Sequence, residues 1–467
     1  MIRFLILILV GHLCYGNETN DEKNQISDFL NALRDAKYVS YSKKDFAEFL
    51  VQCHKEGVPE DFKKGFGSNL NGANFNQLYL SKSVFDGVSL IGADFSNTDL
   101  SDVSFIDVDL RGANFSNANL HGIKIKGTNL SFTKFVSANL TDIVFDQSNV
   151  SYADFISSDL KKVSMHNVIG LHTNFSNVKM NFSNLSNSNV SHVNFSDSEI
   201  NDTVMQKNNL DNASFFGVDA YKLKIQFSSL KNANIYGAEL KESDFTGSNL
   251  SDACLNSSII INSNFGEANL SNTQISYVND DNSSFVQSIL NGSKIKHAYV
   301  SEANLHDADL SNIDFSFSEL HQVNVSNADI RHGKFHNTKV ANSNMNGSFF
   351  DHSLFTYVKI EDSDLSTTSM YKIKIQDSQV YNSTLSRHNI DSSEIENSTF
   401  FNLLADNSSW SNLKVTNSNF IESDFRSSLL HANAFRKTSF FLSNLSNSTI
   451  SDMSFHSSSI YKSSVAN

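Results

Sequence analysis

The chain has 467 residues, of which 39% are hydrophobic and only 18% are charged, against a usual charged share of about 25%. It contains one Pro, 19 Gly and 38 Phe among abundant Asn and Ser, and its formal net charge is −14. So little Pro and Gly excludes the collagen-like and flexible-linker classes, and a polar Asn/Ser tract is disordered only when no apolar period organises it. Such a period is present from residue 67 onward.

Residues 1–16 are predicted to be a signal peptide. Arg3 precedes an apolar run over 4–10, and the segment closes at 14–16 with the small-x-small pattern that signal peptidases accept. This run is far shorter than the roughly 20 residues needed to span a bilayer. We therefore expect an exported protein, whether secreted, on the cell surface or periplasmic, with no membrane span.

Residues 17–66 are predicted to form a helical N-terminal cap. Apolar residues at helical spacing mark two amphipathic helices, one at Ile26, Phe29, Leu30 and Leu33 and one at Phe46, Phe49, Leu50 and Cys53. A helical pair this small is not a stable domain alone, so its apolar faces are expected to pack on the adjoining repeat region. Cleavage after Gly16 would leave Cys53 and Cys254, which we expect to be two separate thiols.

The remainder, 67–467, carries a period of five. From Leu70 to Val465 a large apolar residue occupies every fifth position without a slip in register. The exceptions are Gly170, Ala220, Asp280 and Ala405. This period fits neither the helical repeat of 3.6 nor the strand repeat of 2, and repeats of such regularity indicate a solenoid.

The pentads carry a family resemblance. The segments GADFS at 92–96 and GANFS at 112–116 resemble the A-[D/N]-[L/F]-x-x unit of pentapeptide-repeat proteins, and the resemblance covers about 400 residues. It implies an all-β solenoid, a right-handed quadrilateral β-helix in which each pentad forms one side of a coil. The central Leu or Phe, and the small residue two positions before it, would point inward.

The repeat also predicts the core. Eighty pentads would make about 20 coils, and at about 4.8 Å between stacked backbones they would give a rod roughly 95 Å long. Similar apolar residues recur at a spacing of 20 and would stack on one inner face. The predicted structural core includes Leu70, Phe75, Leu90, Phe95, Phe115, Phe135, Phe155, Phe175, Phe195 and Phe215.

Three exceptions to the apolar column are given structural interpretations. Asp280 is expected to turn outward with Asp281 in a local bulge, because an unpaired inward carboxylate is costly. Gly170 is expected to mark a distorted corner filled by one of the two residues before it. Ala405 lies one pentad before Trp410, the only Trp, and their volumes are expected to offset each other.

No catalytic site and no cofactor site is predicted. An enzyme needs a concave site with convergent polar groups, and uninterrupted pentads leave no inserted loops on which to build one. The densest acidic group, Glu361-Asp362-Ser363-Asp364, has two acids on outward positions and is interpreted as a solvated corner. We therefore expect a protein that is not an enzyme.

Four histidines form two pairs at a spacing of 20, His172 with His192 and His332 with His352. Each pair would lie one backbone spacing apart on the surface, close enough to share a metal ion. Two ligands are too few for a metal site, so ordinary solvent-facing side chains are the favoured interpretation.

The sequence contains 24 Asn-x-Ser/Thr sequons, which would accept glycans in an exported eukaryotic chain. Twelve of them fall just before the central residue, where the pentad itself favours Asn-Leu-Ser. Their number therefore does not establish glycosylation. The candidate acceptors are Asn114, Asn129, Asn139, Asn149, Asn249 and Asn269.

Charge weighs against one function that the resemblance suggests. Some pentapeptide-repeat proteins mimic duplex DNA and occupy topoisomerases. From residue 67 on, this chain has 40 acidic and 27 basic residues, a net of −13. A duplex as long as the expected rod would carry about 55 charges, at one per about 1.7 Å. The net charge of the chain is about fourfold smaller, which disfavours DNA mimicry.

The favoured function is a non-enzymatic, exported solenoid that binds another protein or an extracellular macromolecule, or serves as a structural spacer. We expect no nucleic acid partner. The alternatives are a topoisomerase-binding DNA mimic and a binder of carbohydrate or ice. The last would need regular Thr or aromatic columns on one outer face, and no such column is expected from the sequence.

Weak end-to-end self-association is predicted at the C-terminal coil, near Phe455, Ile460 and Val465. No amphipathic segment comes after this coil to cover its end, and an uncovered backbone edge is a template for strand pairing. Solenoids generally need a cap at each end.

Overall fold

The computed structural model describes residues 68–464. The predicted signal peptide, the predicted helical cap with Cys53, and Val465 lie outside the described residues. The chain divides into two compact units, Met1–Ser214 and Phe215–Asn467. Each described part is an all-parallel β-solenoid, and together they contain about 19 turns. The predicted β-helix of about 20 coils is therefore confirmed.

Each pentad forms one side of a coil and then turns a corner. At the first corner the Leu70 carbonyl accepts a hydrogen bond from the Ala73 amide at 3.1 Å, and Gly72 has a φ of 68°. A positive φ at the third residue is what a type II turn requires. Asn, Asp and Gly recur at this position along the chain, because they adopt the left-handed conformation at low cost.

The coils pair in parallel at a spacing of 20 residues. The Leu70 amide donates to the Ser89 carbonyl at 2.8 Å, and the Ser89 amide donates to the Ser68 carbonyl at 2.8 Å. Both bonds join the first two described coils, and the same pattern repeats from coil to coil along the chain. This pairing holds the central residue of each pentad inward.

In the first unit, most coil contacts are isolated parallel bridges such as Asn114↔Lys134. The described residues of this unit contain two strands, β1 (Val84–Asp86) and β2 (Ser104–Ile106), which pair with each other. The phenylalanine column is stacked inside, with ring centroids 4.5 Å apart for Phe75 and Phe95 and 4.7 Å apart for Phe155 and Phe175.

The second unit contains three parallel sheets, each on one side of the coil, and all its strands have three residues. The largest sheet consists of β3 (Asp219–Tyr221), β4 (Glu239–Lys241), β5 (Ile259–Ile261), β6 (Asn279–Asp281), β7 (Tyr299–Ser301), β8 (Glu319–His321), β10 (Lys339–Ala341), β12 (Lys359–Glu361), β15 (Gln379–Tyr381), β18 (Thr399–Phe401), β21 (Asn419–Ile421), β24 (Ser439–Phe441) and β27 (Ser459–Tyr461). A second sheet consists of β9 (Lys334–His336), β11 (Leu354–Thr356), β14 (Lys374–Gln376), β17 (Glu394–Glu396), β20 (Lys414–Thr416), β23 (Ala434–Arg436) and β26 (Ser454–His456). The third consists of β13 (Ser369–Tyr371), β16 (Asn389–Asp391), β19 (Ser409–Ser411), β22 (Leu429–His431) and β25 (Thr449–Ser451).

The core is a column of central residues with a second inward position two residues earlier. All ten residues of the predicted core are buried, from 0% exposure for Phe75 to 3% for Phe215. Serine or threonine often fills the second position and bonds to the backbone of the preceding coil. The Ser158 hydroxyl, for example, donates to the Phe135 carbonyl at 2.6 Å, so a polar group is accommodated inside without loss of its hydrogen bond.

Two interpretations of the exceptions are wrong. Asp280 does not bulge outward. It is 3% exposed and lies in register between Ile260 and Val300 in the largest sheet of the second unit. Its neighbour Asp281 does point outward, since successive residues of a strand face opposite sides.

Gly170 does not distort its corner either. Its amide bonds to the Asn189 carbonyl at the usual 2.8 Å. A Cβ atom there would lie 3.0 Å from Val190 Cγ1 and 3.2 Å from Val150 Cγ2. The two valines therefore fill the space beside Gly170, and Ile169 points outward with 45% exposure.

Ala405 and Trp410 are both buried, at 0% and 3% exposure. The Trp410 ring packs edge-on against Phe425 at 5.3 Å and against His388 at 5.1 Å. Phe425 is the residue one coil after Ala405, so the indole lies near the side where the column is narrow.

Cys254 is a free, half-buried thiol. No helix in 68–464 is long and apolar enough to cross a membrane.

Candidate binding faces

The outward residues of each pentad form straight side-chain columns. The asparagine ladder, which comprises Asn304, Asn324 and Asn344, is one such column in the second unit. The Asn324 amide nitrogen donates to Asn304 Oδ1 at 3.1 Å, and the Asn344 amide nitrogen donates to Asn324 Oδ1 at 3.2 Å. Asn324 Oδ1 also accepts from the Ser326 amide at 3.2 Å. These side chains are held in one conformation before any partner arrives.

The first unit has a similar column. The Asn119 amide nitrogen donates to Asp99 Oδ1 at 3.1 Å, and the Asn139 amide nitrogen donates to Asn119 Oδ1 at 2.9 Å. Fixed polar columns are therefore a property of both units. They arise from the pentad, which places Asn or Asp just before the central residue in coil after coil.

An exposed aromatic column lies along one corner of the second unit, contrary to the sequence-based expectation. The aromatic strip comprises Tyr277, His297, Phe317, His336 and Tyr357. The first three rings are parallel, with centroids 4.9 Å apart at each step. His336 then lies edge-on between Phe317 at 5.1 Å and Tyr357 at 5.7 Å. Tyr277 is 63% exposed and Tyr357 56%.

This strip was not predicted from the sequence, because the apolar column dominates the pentad pattern. A signal was present, since Tyr277, His297 and Phe317 recur at the coil spacing of 20 at the left-handed corner position. Asn337 interrupts the series, and His336 fills the gap from the adjacent position. That substitution depends on side-chain packing and is not visible in the pentad pattern.

The flat side next to the strip is rich in lysine. The lysine face comprises Lys294, Lys296, Lys334 and Lys374, together with Asp314. Lys294, Asp314 and Lys334 are in register on successive coils, and Leu354 separates Lys334 from Lys374. Lys296 pairs with Asp314 at 2.8 Å. Four lysines against one aspartate leave a net of three positive charges on a chain that is acidic overall.

The candidate histidine pairs lie together as their spacing predicts. The ring centroids of His172 and His192 are 4.6 Å apart, and those of His332 and His352 are 4.9 Å apart, with nearly parallel planes. Over residues 68–464, no group of three or more His, Cys, Asp or Glu side chains is arranged to hold a metal ion.

The acidic segment at 361–364 includes Glu361, which bonds to Lys359 and pairs with Lys339 at 3.1 Å.

The candidate glycosylation sites all occupy the outward position before the central residue, and each is exposed or half-buried. In each case the asparagine Oδ1 accepts a hydrogen bond from the amide two residues later, as at Asn114 with Ser116 at 3.2 Å. The same geometry occurs at Asn129, Asn139, Asn149, Asn249 and Asn269. The sequon Ser or Thr is thus part of the local turn.

The last described coil exposes part of its inward column. Phe455 is 45% exposed and Ile460 43%, whereas Phe435 and Phe440, one coil earlier, are 4% and 3% exposed. The side chains keep their inward register, since Phe440 pairs with Ile460. Their exposure arises because no described coil covers them.

Comparisons with known proteins identify the repeat. A family model described as "Pentapeptide repeat region" matches residues 67–131 and 99–169. A second, "Pentapeptide repeats (8 copies)", matches 225–260 and 298–337. No curated protein matches the chain.

Several solved structures are similar to parts of the chain. HetL, a pentapeptide repeat protein involved in heterocyst differentiation regulation from the cyanobacterium Nostoc sp. strain PCC 7120, is 14% identical, with 52% of this chain and 88% of that chain covered and a TM-score of 0.33. A trypsin-treated form of QnrB1, a plasmid-mediated fluoroquinolone resistance protein, is 12% identical, with coverages of 38% and 88% and a TM-score of 0.29. The PL6 family alginate lyase AlyGC is 8% identical, with coverages of 90% and 98% and a TM-score of 0.24.

Proposed function

We propose that this chain, a pentapeptide-repeat protein, is a non-enzymatic, exported solenoid that binds another macromolecule through its flat outer faces. The asparagine ladder is the observation that carries the proposal. Its amides already hydrogen bond to one another at 3.1 and 3.2 Å. Binding therefore immobilises few additional side chains, and the side-chain part of the entropy cost of association is small.

The binding function is tested by changing the ladder and leaving the core intact. The variant Asn304→Lys/Asn324→Lys/Asn344→Lys places a cation on each of three successive coils. Lysine is compatible with the fold at this pentad position, since Lys294 and Lys334 occupy it elsewhere in the same unit. A matched control carries Ser271→Lys, Ser311→Lys and Ser411→Lys, three outward serines at the position after the central residue on another side of the coil.

The full chain and both variants would be used to capture partners from extracts of the native source, with cross-linking and mass spectrometry to locate the contact. We expect a macromolecule cross-linked to an outer face, and a loss of capture that depends on which outward column is changed. If the parent chain captures nothing, or if no outward substitution alters capture, the binding proposal is wrong and the spacer alternative is favoured.

Export is the second part of the proposal, and the sequence of residues 1–16 supports it. The mature protein is expected to begin near Asn17. N-terminal mass spectrometry of native material recovered outside the cytoplasm tests this. Recovery of an intact 1–16 segment on that material would contradict cleavage.

Weak end-to-end association through the last described coil is the third part. The exposure of Phe455 and Ile460 supports it, because these two side chains continue the apolar column and are accessible to a second copy of the chain. Sedimentation of the full chain is compared with Phe455→Lys/Ile460→Lys and with the matched control Ser454→Lys/Ser459→Lys, which places the same charges outward on the same coil. Association that is abolished in the first variant only is expected, and a monomeric parent at all concentrations would overturn it.

A further inference from the structure

The lysine face and the aromatic strip are adjacent, so their chemistry acts on the same partner. Lys296 directly precedes His297 of the strip, and Lys334 and His336 project from the same side of β9. Over the coils from 274 to 377, no other side has a net positive charge. A partner that touches the strip therefore also meets the lysines.

The rings of the strip present their edges to solvent. Tyr277, His297 and Phe317 are stacked face to face at 4.9 Å along the direction in which the coils stack, so each ring covers the face of the next. The edge of an aromatic ring is electropositive and the face electronegative. The strip and the lysines thus attract the same group, an anionic oxygen.

We propose that the lysine face and the aromatic strip together bind an extended, sparsely charged anionic polysaccharide. This inference rests on the proposed function as a macromolecule-binding solenoid and names the partner of one face. The chain contains both elements of such a site, cations in a line and a rigid border of ring edges and hydroxyl groups, including those of Tyr277 and Tyr357.

Charge density selects this partner over a nucleic acid. The face spans four coil intervals, about 19 Å at about 4.8 Å each, and its net of three positive charges amounts to about one per 6 Å. Duplex DNA carries one negative charge per about 1.7 Å. Single-stranded nucleic acid gains affinity by stacking its bases on exposed aromatic faces, and the self-stacked strip offers mainly edges.

The spacing of the lysines matches a charge on every second sugar. Lys294, Lys334 and Lys374 lie on every second coil, about 10 Å apart at about 4.8 Å per coil. A linear polysaccharide with one carboxylate per disaccharide presents its charges at a similar interval. Its uncharged sugars would contact the intervening coils, where Leu354 is 38% exposed.

Binding of hyaluronan fragments, which carry one carboxylate per disaccharide, tests the proposal by calorimetry with the full chain. Neutral dextran of the same length, oligo(dT) and polyglutamate are the competing probes. We expect hyaluronan to bind, binding to weaken as salt rises, and dextran not to bind. Failure to bind hyaluronan, or tighter binding of oligo(dT) or polyglutamate, would overturn the proposal.

Two variants locate the site. Lys294→Ser/Lys334→Ser/Lys374→Ser should weaken hyaluronan binding by about tenfold, since each substitution removes one salt-screened ion pair between a lysine and a carboxylate. The matched control, Lys124→Ser/Lys126→Ser/Lys162→Ser, removes the same charge from exposed lysines of the first unit and should change binding less than about twofold. Equal weakening in both variants would show non-specific attraction and contradict the assigned face.

The strip is tested by Tyr277→Ser/Phe317→Ser/Tyr357→Ser, with Phe182→Ser, an isolated ring that is 62% exposed, as its control. Binding should weaken severalfold in the first variant only, with the circular dichroism of both unchanged. The outcome also separates the two proposals. If hyaluronan fails to bind but a partner from the native extract cross-links elsewhere, this inference is wrong and the binding function stands.

Discussion

The Asp280 carboxyl group lies directly beside Val300 in the parallel register of the second unit, at a position where all but a few coils place an apolar side chain. Ile260 is its partner on the other side. One carboxyl oxygen, Oδ1, has no hydrogen-bond partner within 68–464, and Ser283 bonds to the carboxyl group. The surrounding cavity of about 30 Å³ is lined otherwise by apolar residues, and Asp281 is the charged neighbour.

This arrangement predicts that stability falls as the pH rises. Burial raises the pKa of Asp280 to about 7 from its ordinary value of 3.8, because desolvation outweighs the hydrogen bond from Ser283. Between these values the folded state holds a proton that the unfolded state has released, so the free energy of unfolding decreases with pH and the full loss is present above 7. The loss is roughly 4 kcal/mol, at about 1.4 kcal/mol per pKa unit.

Urea unfolding at about pH 5 and about pH 8 measures the part of this loss that falls above pH 5, roughly 3 kcal/mol, and Asp280→Asn is the control because it keeps the shape and removes the titration. The parent should lose stability over this interval by several kcal/mol more than Asp280→Asn. An identical pH dependence in the two proteins would mean that Asp280 is not buried as a carboxylic acid.

His388 predicts the opposite dependence at acid pH. Burial lowers the pKa of His388 to about 4 from 6.5, with the Leu385 carbonyl opposing the shift through a hydrogen bond. Between these two pH values the unfolded state therefore binds a proton that the folded state does not bind. The free energy of unfolding decreases as the pH falls from 6.5 toward 4. The expected loss is roughly 3 kcal/mol at about 1.4 kcal/mol per unit.

The variant His388→Ser isolates this effect, since Ser408 and Ser428 occupy the same inward position on the next two coils. The substitution leaves space beside Trp410 and lowers stability at neutral pH, so the diagnostic quantity is the slope with pH. His388→Ser should be flatter than the parent between about pH 4 and 6.5. A slope as steep as that of the parent would contradict the assignment.

The inward column should govern stability, and Phe155 is the sharpest test. Its ring is fully buried and lies 4.7 Å from both Phe135 and Phe175. Phe155→Ala should cost about 3 to 5 kcal/mol, as for other large buried aromatics. Ser157→Ala, at an exposed corner of the same coil, should stay within about 0.5 kcal/mol. Because repeats couple mainly to neighbours, hydrogen exchange around the two sites is the measurement, and equal effects would contradict the inward assignment.

The apolar column could be predicted from the sequence because every coil buries the side chain at the same pentad position. The inward position of Asp280 could not be predicted, since two free-energy costs oppose each other at this residue. A bulge would break backbone hydrogen bonds on both sides of β6, whereas an inward carboxyl group can remain protonated. The backbone register is therefore kept, and the pentad pattern alone does not show which of the two costs is smaller.

The binding faces were harder to predict than the core. The asparagine ladder results from the pentad, but the aromatic strip depends on one departure from it, the use of His336 where Asn337 occupies the corner. The pattern gives the position of a side chain, while the continuity of a surface depends on rotamers. Residues such as Gly170 show the same limit, because the valines that fill its space lie 20 residues away in each direction.

The corner positions offer a route to a more stable chain. Thr367 adopts a φ of 57°, and it is the one β-branched residue with a positive φ among residues 68–464. Side chains branched at Cβ are poorly suited to the left-handed region, whereas Asn enters it at lower cost. Thr367→Asn should therefore stabilise its coil by about 0.5 to 1 kcal/mol. The substitution also removes the exposed hydrogen bond that the Thr367 hydroxyl donates to Asn346 at 2.8 Å, which reduces this gain.

The matched control is Thr356→Asn, which makes the same chemical change at the outward end of β11, where the backbone is extended and threonine is well suited. Thermal unfolding and local hydrogen exchange would compare both with the parent. Thr367→Asn should raise the protection of its coil while Thr356→Asn leaves it unchanged or lowers it. A gain of equal size in both would show that the benefit comes from asparagine on this surface and not from the left-handed corner.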